Sequence, residues 1–265
     1  MDDPIEACAL QLARLRGSKA VSADLPTGLP DPIRPATLAA AYRVQDRLIG
    51  LWPDQIAGWK VGATSKEIQA LFGVAEPVYG PVFGKTISHS PARIPAATYR
   101  HRMLEVEFAF RFGQALSSRG HRYSREEIVA AVSALHPAFE ILDPRFTTLT
   151  VEQIPQLVAD CCGNGGAVLG PECRDWRGLD LAAHAVVLSI GGTVRQRGTG
   201  ALVLGHPLNV LDWFVNLMSA RGLGIATGQL VLTGTMTGIH SPAPGETARA
   251  DFGSLGVVEI AFDAS

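Results

Sequence analysis

The sequence predicts an α+β fold, with a helical N-terminal lobe over residues 1–77 and a mixed, β-rich body over residues 78–265. Three observations predict it. Up to about residue 75, apolar positions recur at helical spacing. From about Val78 onward, short β-rich runs are separated by Gly and Pro, and the 28 glycines among 265 residues exceed the usual ~7%, as many tight turns require. Strands and helices do not alternate strictly, which argues against a doubly wound sheet.

Asp3-Pro4 opens an amphipathic helix with Ile5, Cys8, Leu12 and Leu15 on one stripe and Gly17 as its stop. The connector DLPTGLPDPIRP has four prolines and is expected to cross the surface without regular structure. A second helix runs from about Thr37 to Ile49 and stops at Gly50. After a short apolar stretch (Ile56 to Val61), Thr64 or Ser65 can cap a small helix. In the body, TYRHRMLEVEFAFRF, HAVVLSIGG, GQLVLTG and SLGVVEIAF read as strands. Ser124 and Glu127 form a capping box for a helix ending near Leu135. Pro207 starts a further helix that Gly222 ends.

Composition narrows the function. Hydrophobic residues are 47% and charged residues 18%, so a substantial core is expected. Lys plus Arg number 23 against 25 Asp plus Glu, a balance with no footprint for nucleic acid or an anionic membrane. The acidic start MDDPIEACALQ does not resemble a signal peptide, and no apolar run reaches the ~18 residues of a spanning helix. Cys8, Cys161, Cys162 and Cys173 have neither zinc-site nor disulfide-frame spacing, so a cytoplasmic location is expected.

The sharpest feature is LEVEFAFRF. Alternation places Leu104, Val106, Phe108 and Phe110 on one face, and Glu105 and Glu107, about 7 Å apart, on the other. On an antiparallel strand such a face is ordinarily solvated. Glu140, however, interrupts an apolar run between Phe139 and Ile141-Leu142, where a carboxylate is costly unless paired or metal-bound. Three acids from two strand-like segments suit a hard divalent ion, and the absence of a His or Cys cluster favours Mg2+ or Mn2+ over zinc. Lys60, between Trp59 and Val61 and flanked by Gly58 and Gly62, can bind a carboxylate or carry a proton with a lowered pKa; a lysine snorkelling beside a surface tryptophan would look the same.

These segments together resemble the fumarylacetoacetate hydrolase superfamily, in particular its hydratase/decarboxylase branch, from AYRVQ to the last strand. GWKVGATSK is similar to the branch's lysine segment, LEVEFAF with AFEILDPRF to its metal ligands, and LVADCCGNGGAVLG to a glycine-rich active-site segment. GTGALVLGHPLNVLDWFVN, GQLVLTGTMTG and SLGVVEIAF resemble later signatures. The resemblance implies a roll-like body of the fumarylacetoacetase C-terminal type, an Mg2+ or Mn2+ site from Glu105, Glu107 and Glu140, Lys60 as the catalytic residue beside it, and a homo-oligomer. Thr233, Gly234 and Thr235 would bind the substrate carboxylate, with Asp160 nearby; an ordinary turn and a helix end are the plain alternatives. The implied activity is a lyase hydrating a 2-hydroxy-2,4-dienoate of the 2-keto-4-pentenoate type to a 4-hydroxy-2-oxo acid in aromatic catabolism. Decarboxylation of a 4-oxalocrotonate-type acid and carbon–carbon hydrolysis of an acylpyruvate are the alternatives. Two departures bear on that choice: Val78 stands where hydratases of the branch carry an Asp, and Cys161, Cys162, Gly163 and Asn164 stand where Asn and serines are usual.

Other chemistries lack support. There is no GxSxG elbow, and GNGGAV lacks the dinucleotide spacing. His136 and His206 each precede a proline and read as shaping or capping residues. Cys161 and Cys162 read as packing. Asp143 and Arg145 either orient the Glu140 segment or form a salt-bridged turn.

Overall fold

The computed structural model describes residues 3–18, 25–147 and 153–263. Helix α1 (Pro4–Gly17) starts as expected, with the Asp3 carboxylate accepting from the Ile5 N–H and Pro4 in the first turn, where its missing N–H costs nothing. Helix α2 (Leu38–Leu51) is capped by Thr37 and continues through Gly50, one residue past the expected stop at that glycine. The two pack through Cys8, Leu12, Ala41, Val44 and Leu48. The proline-rich connector is not wholly a surface crossing: Leu25 and Leu29 are buried, and the Leu29 N–H donates to Gln156. Among the described connector residues, regular structure is limited to one 3-10 turn (Asp31–Ile33), which the sequence did not predict, and leucines between the prolines still find apolar cover.

Strand β1 (Ile56–Gly62) precedes helix α3 (Lys66–Phe72), whose cap is Ser65 and whose stop is Gly73 at φ +63°. Next come β2 (Val78–Phe83), β3 (Ile87–His89), β4 (Ala92–Pro95) and β5 (Met103–Phe112). Helix α4 (Arg125–Ala131) has the expected capping box but ends at Ala131, well short of Leu135. Strand β6 (Val132–Leu142) begins at once, because Val132 through Leu142 pair with β5 along almost their whole length. A local helical preference cannot compete with that ladder. The chain continues through α5 (Ile154–Ala159), β7 (Asn164–Leu169), β8 (Ala185–Ile190), β9 (Thr193–Thr199), α6 (Pro207–Ala220), β10 (Leu230–Leu232), β11 (Thr247–Asp251) and β12 (Val257–Asp263). Gly191 and Gly192, at φ +58° and +77°, make the tight β8–β9 turn.

Among the described residues the strands form two mixed sheets, ordered β2-β1-β10-β5-β6-β7-β3 and β4-β12-β11-β8-β9. Sheet membership does not follow the division at residue 77. Strand β1 lies before it yet sits inside the larger sheet, parallel to β10 and antiparallel to β2.

The main core lies between the sheets. Leu104, Val106, Phe108 and Phe110 of β5 point into it, and Phe108 meets Phe252 edge-on with ring centroids 5.6 Å apart. Helix α6 covers Trp59 and Tyr79 through Phe214. On the opposite face of the larger sheet, Ala109, Ala138 and Ala167 share a small apolar cluster with Val82, Leu230 and Leu232. Alanines keep this face shallow beside the glutamates of the same strands.

Candidate metal centre

Glu105 of β5 and Glu140 of β6 are direct cross-strand partners, and Glu107 lies two residues further along β5 on the same face. The face is buried and not the solvated one that is ordinary for such a strand: Glu105 is 9% exposed, and Glu107 and Glu140 are fully covered. Each of the three offers a carboxylate oxygen within 4.8 Å of the others. Lys60 comes from the same face of β1; its Nζ lies 3.3 Å from Glu140 Oε2 and 3.5 Å from the Cys162 carbonyl.

Three buried carboxylates around one ammonium leave negative charge uncompensated. Burial and Glu140 push Glu105 up to about 7 despite the lowering effect of Lys60. Burial, then Glu140 and Glu105, push Glu107 well above the usual carboxylate range. Burial works against the Lys60 ammonium, but Glu140 and Glu105 outweigh it and the pKa is raised. The lowered value expected for a lysine in a dry niche is therefore not found, because the niche is lined with carboxylates.

The donor set fits a hard divalent cation. Glu107 Oε1 is buried without a hydrogen-bond donor, and Glu140 Oε2 has only the Lys60 ammonium beside it; an unsatisfied buried acceptor costs about 1–3 kcal/mol. All the donors are carboxylate oxygens, the chemistry of magnesium- and manganese-type sites.

The TGT turn after β10 faces inward. The Gly234 N–H donates to Glu107 Oε2 at 2.7 Å, and the Thr233 hydroxyl and N–H both donate to the Phe108 carbonyl. Gly234 stands at φ +98°, and a Cβ there would lie 2.0 Å from Thr64 Oγ1, so only glycine brings this amide to Glu107. The Thr235 hydroxyl donates to the Gly238 carbonyl. Asp160 stands apart from the three glutamates: fully buried, it accepts from the Arg145 N–H and lies 3.6 Å from Arg145 Nε and 3.7 Å from Arg16 Nη2. Asp143 and Arg145 do not form the salt bridge of such a turn: the Asp143 carboxylate holds Arg100, and Arg145 reaches the Asp143 carbonyl.

Two contributors from the segment that resembles a glycine-rich active-site segment had no individual role assigned from the sequence. Asn164 Nδ2 donates to Glu140 Oε1 at 2.9 Å. Cys161, Cys162 and Gly163 form a left-handed run, at φ +55°, +52° and +68°, that brings the Cys162 carbonyl beside Lys60. Such geometry at a non-glycine residue costs on the order of 1–3 kcal/mol and concentrates at functional sites. Burial raises the thiols of Cys161 and Cys162 to about 11 and about 12, which suits packing rather than nucleophilic chemistry. His206 caps α6 through Nδ1, as expected.

A two-sheet body with three buried carboxylates and a lysine on one sheet face is the arrangement of a candidate metal centre. The Fumarylacetoacetate (FAA) hydrolase C-terminal family matches residues 67–262, and the chain belongs to that family. It is 30% identical over 211 residues to 2-keto-4-pentenoate hydratase of Paraburkholderia xenovorans (strain LB400), covering 80% of this chain and 77% of that one. It is 28% identical over 234 residues to 2-oxo-hept-4-ene-1,7-dioate hydratase of Escherichia coli, covering 85% and 87%. The 4-oxalocrotonate decarboxylase of Pseudomonas putida G7, solved with magnesium and adipate, superposes with a TM-score of 0.85 at 25% identity over 97% of each chain.

Proposed function

We propose that the chain is a metal-dependent lyase that hydrates a 2-hydroxy-2,4-dienoate of the 2-keto-4-pentenoate type to a 4-hydroxy-2-oxo acid in aromatic catabolism. The observation that carries this reading is the convergence of Glu105, Glu107 and Glu140 beside Lys60, with Glu107 Oε1 buried and without a donor. The hydratase relatives support the choice of reaction. The three glutamates would hold Mg2+ or Mn2+, which, when bound, supplies Lewis-acid stabilisation of the negative charge that develops on the 2-oxygen. Lys60 holds the substrate carboxylate or moves a proton to or from the substrate carbon chain. The Gly234 amide fixes Glu107. Burial of the whole group excludes bulk water and strengthens each of these interactions.

Val78 favours a second reading, decarboxylation of an unsaturated 2-oxo diacid. Val78 is buried and pairs with Gly62, two residues along β1 from Lys60, so an apolar side chain stands where an acid would serve water addition. Decarboxylation needs only an electron sink and a protonation step, and the superposition on 4-oxalocrotonate decarboxylase supports it.

Product analysis separates the two. Incubation with magnesium and 2-hydroxypenta-2,4-dienoate should remove the diene absorbance with all carbons retained. Carbon dioxide release from 4-oxalocrotonate, with the dienoate untouched, would move the assignment to decarboxylase. Turnover of neither substrate with any divalent ion would overturn the lyase reading.

We also infer a homo-oligomer and a cytoplasmic location. Exposed Leu71, Leu202 and Ile239 support the first, and the four free thiols accord with the second. Among the described residues no helix is long and apolar enough to cross a membrane.

A further inference from the structure

We propose that Asn164 is a positioning residue for Glu140, held in place by the buried Arg145–Asp160 pair; the inference rests on the metal-centre reading above. The Asn164 amide has one end whose identity is fixed: the atom 2.9 Å from Glu140 Oε1 must be the NH2, because a carboxylate oxygen can only accept. The same NH2 reaches the Gly166 carbonyl at 3.4 Å. The amide oxygen is buried and has no donor. That orphaned oxygen is a cost, and among the described residues no donor to it offsets that cost. The contact the amide secures is the one to Glu140.

The backbone of Asn164 is fixed just as closely. Arg145 donates from both Nη1 and Nη2 to the Asn164 carbonyl, each at 3.2 Å, and also from Nη1 to the Asp143 carbonyl. The Asp143 N–H in turn donates to the Gly163 carbonyl. Arg145 is anchored by Asp160, through its own N–H at 2.9 Å and its guanidinium at 3.6 Å. Behind Asp160 lies Arg16 of α1, its guanidinium within 6 Å of the Trp52 and Phe83 ring centres. Arg145 and Asp160 are 3% and 0% exposed, and Asn164 is 1% exposed. A continuous buried chain therefore runs from helix α1 through Asp160, Arg145 and Asn164 to one oxygen of Glu140. The other Glu140 oxygen faces Lys60. Fixing the first oxygen sets the rotation of the carboxylate and with it the direction of the second. Asp160 thus acts on the site at a distance and not by touching substrate.

The test uses Mn2+ binding to the full-length protein, measured by calorimetry, beside thermal unfolding of the metal-free protein. Asn164→Leu keeps the branched shape and the number of side-chain heavy atoms and removes both the donor and the orphaned acceptor. The expected result is a split: Mn2+ affinity falls about 10- to 100-fold, the range for losing a ligand's hydrogen-bond partner, while the metal-free midpoint changes little, because the orphaned Asn164 oxygen is removed as Glu140 Oε1 loses its donor. Asn164→Ser, which keeps a hydroxyl donor, should recover part of the affinity. Should the leucine variant not fold, Asn164→Ala is measured in its place with the same expected loss. Affinity within twofold of wild type in the leucine or alanine variant overturns the assignment while the metal reading stands. A wild-type protein that binds no Mn2+, Mg2+ or Ca2+ overturns both.

Discussion

Each glutamate of the centre has a different partner. Glu107 holds the Gly234 amide, Glu140 holds Asn164 and faces Lys60, and Glu105 has the greatest exposure of the three. Glu107 is fully buried among like charges, and burial with Glu140 and Glu105 pushes its pKa well above the usual carboxylate range. Glu107→Ala should therefore abolish divalent-ion binding and turnover while leaving the metal-free melting temperature unchanged or higher, since it removes a repulsive charge. A variant with wild-type ion dependence and rate would disprove the ligand assignment. Lys60→Met keeps the length of the side chain and loses its charge. It should bind the ion within a few-fold of wild type yet turn over substrate orders of magnitude more slowly, and steady-state kinetics beside calorimetry will check that. Much of this was legible from residues alone. Glu105 and Glu107 follow from strand alternation, and Glu140 from a charge set in an apolar run. The partners of those carboxylates were not legible, because Gly234 and Asn164 reach them only through folding of strands far apart in sequence.

The elements sort by how local their signals are. Caps at Asp3, Thr37, Ser65 and Ser124 are written within a few residues of each helix, and the structure has all four. The end of α4 and the place of β1 are not, because pairing with β5 decides the first and pairing with β10 the second. Helix α4 also supplies a pH test. The Arg119 side chain and then the Ser124 N–H hold the Glu127 carboxyl down to about 2. A folded pKa below the ordinary value of 4.5 means that the contribution to stability is complete above about pH 4.5 and is lost as pH falls towards about 2. The difference in urea midpoint between wild type and Glu127→Gln should therefore be largest near pH 6 and shrink steadily through that window. A constant difference would show that the box works by shape and not by charge.

The two sheets enclose one main core, and the larger carries the three glutamates and Lys60 on its other face. Large apolar side chains remain uncovered at Leu71, Leu202 and Ile239, each more than half exposed. Light scattering on purified protein should give a mass of at least two chains, and a single-chain mass across the micromolar range would remove the oligomer reading. The fold class was legible at this scale from glycine content and the rhythm of short strands, whereas the sheet order was not, since parallel pairing over long separations leaves no local trace. That ordering carries a consequence for biosynthesis. Strands β5 and β6 are neighbours in sequence and can bring Glu105 and Glu140 together as a nascent hairpin, whereas Lys60 waits beside an open strand edge until the ribosome has translated Leu230–Leu232. On the emerging polypeptide the acids can thus meet before their ammonium is locked into the sheet, and protons or a scavenged cation would have to neutralise them in the interval.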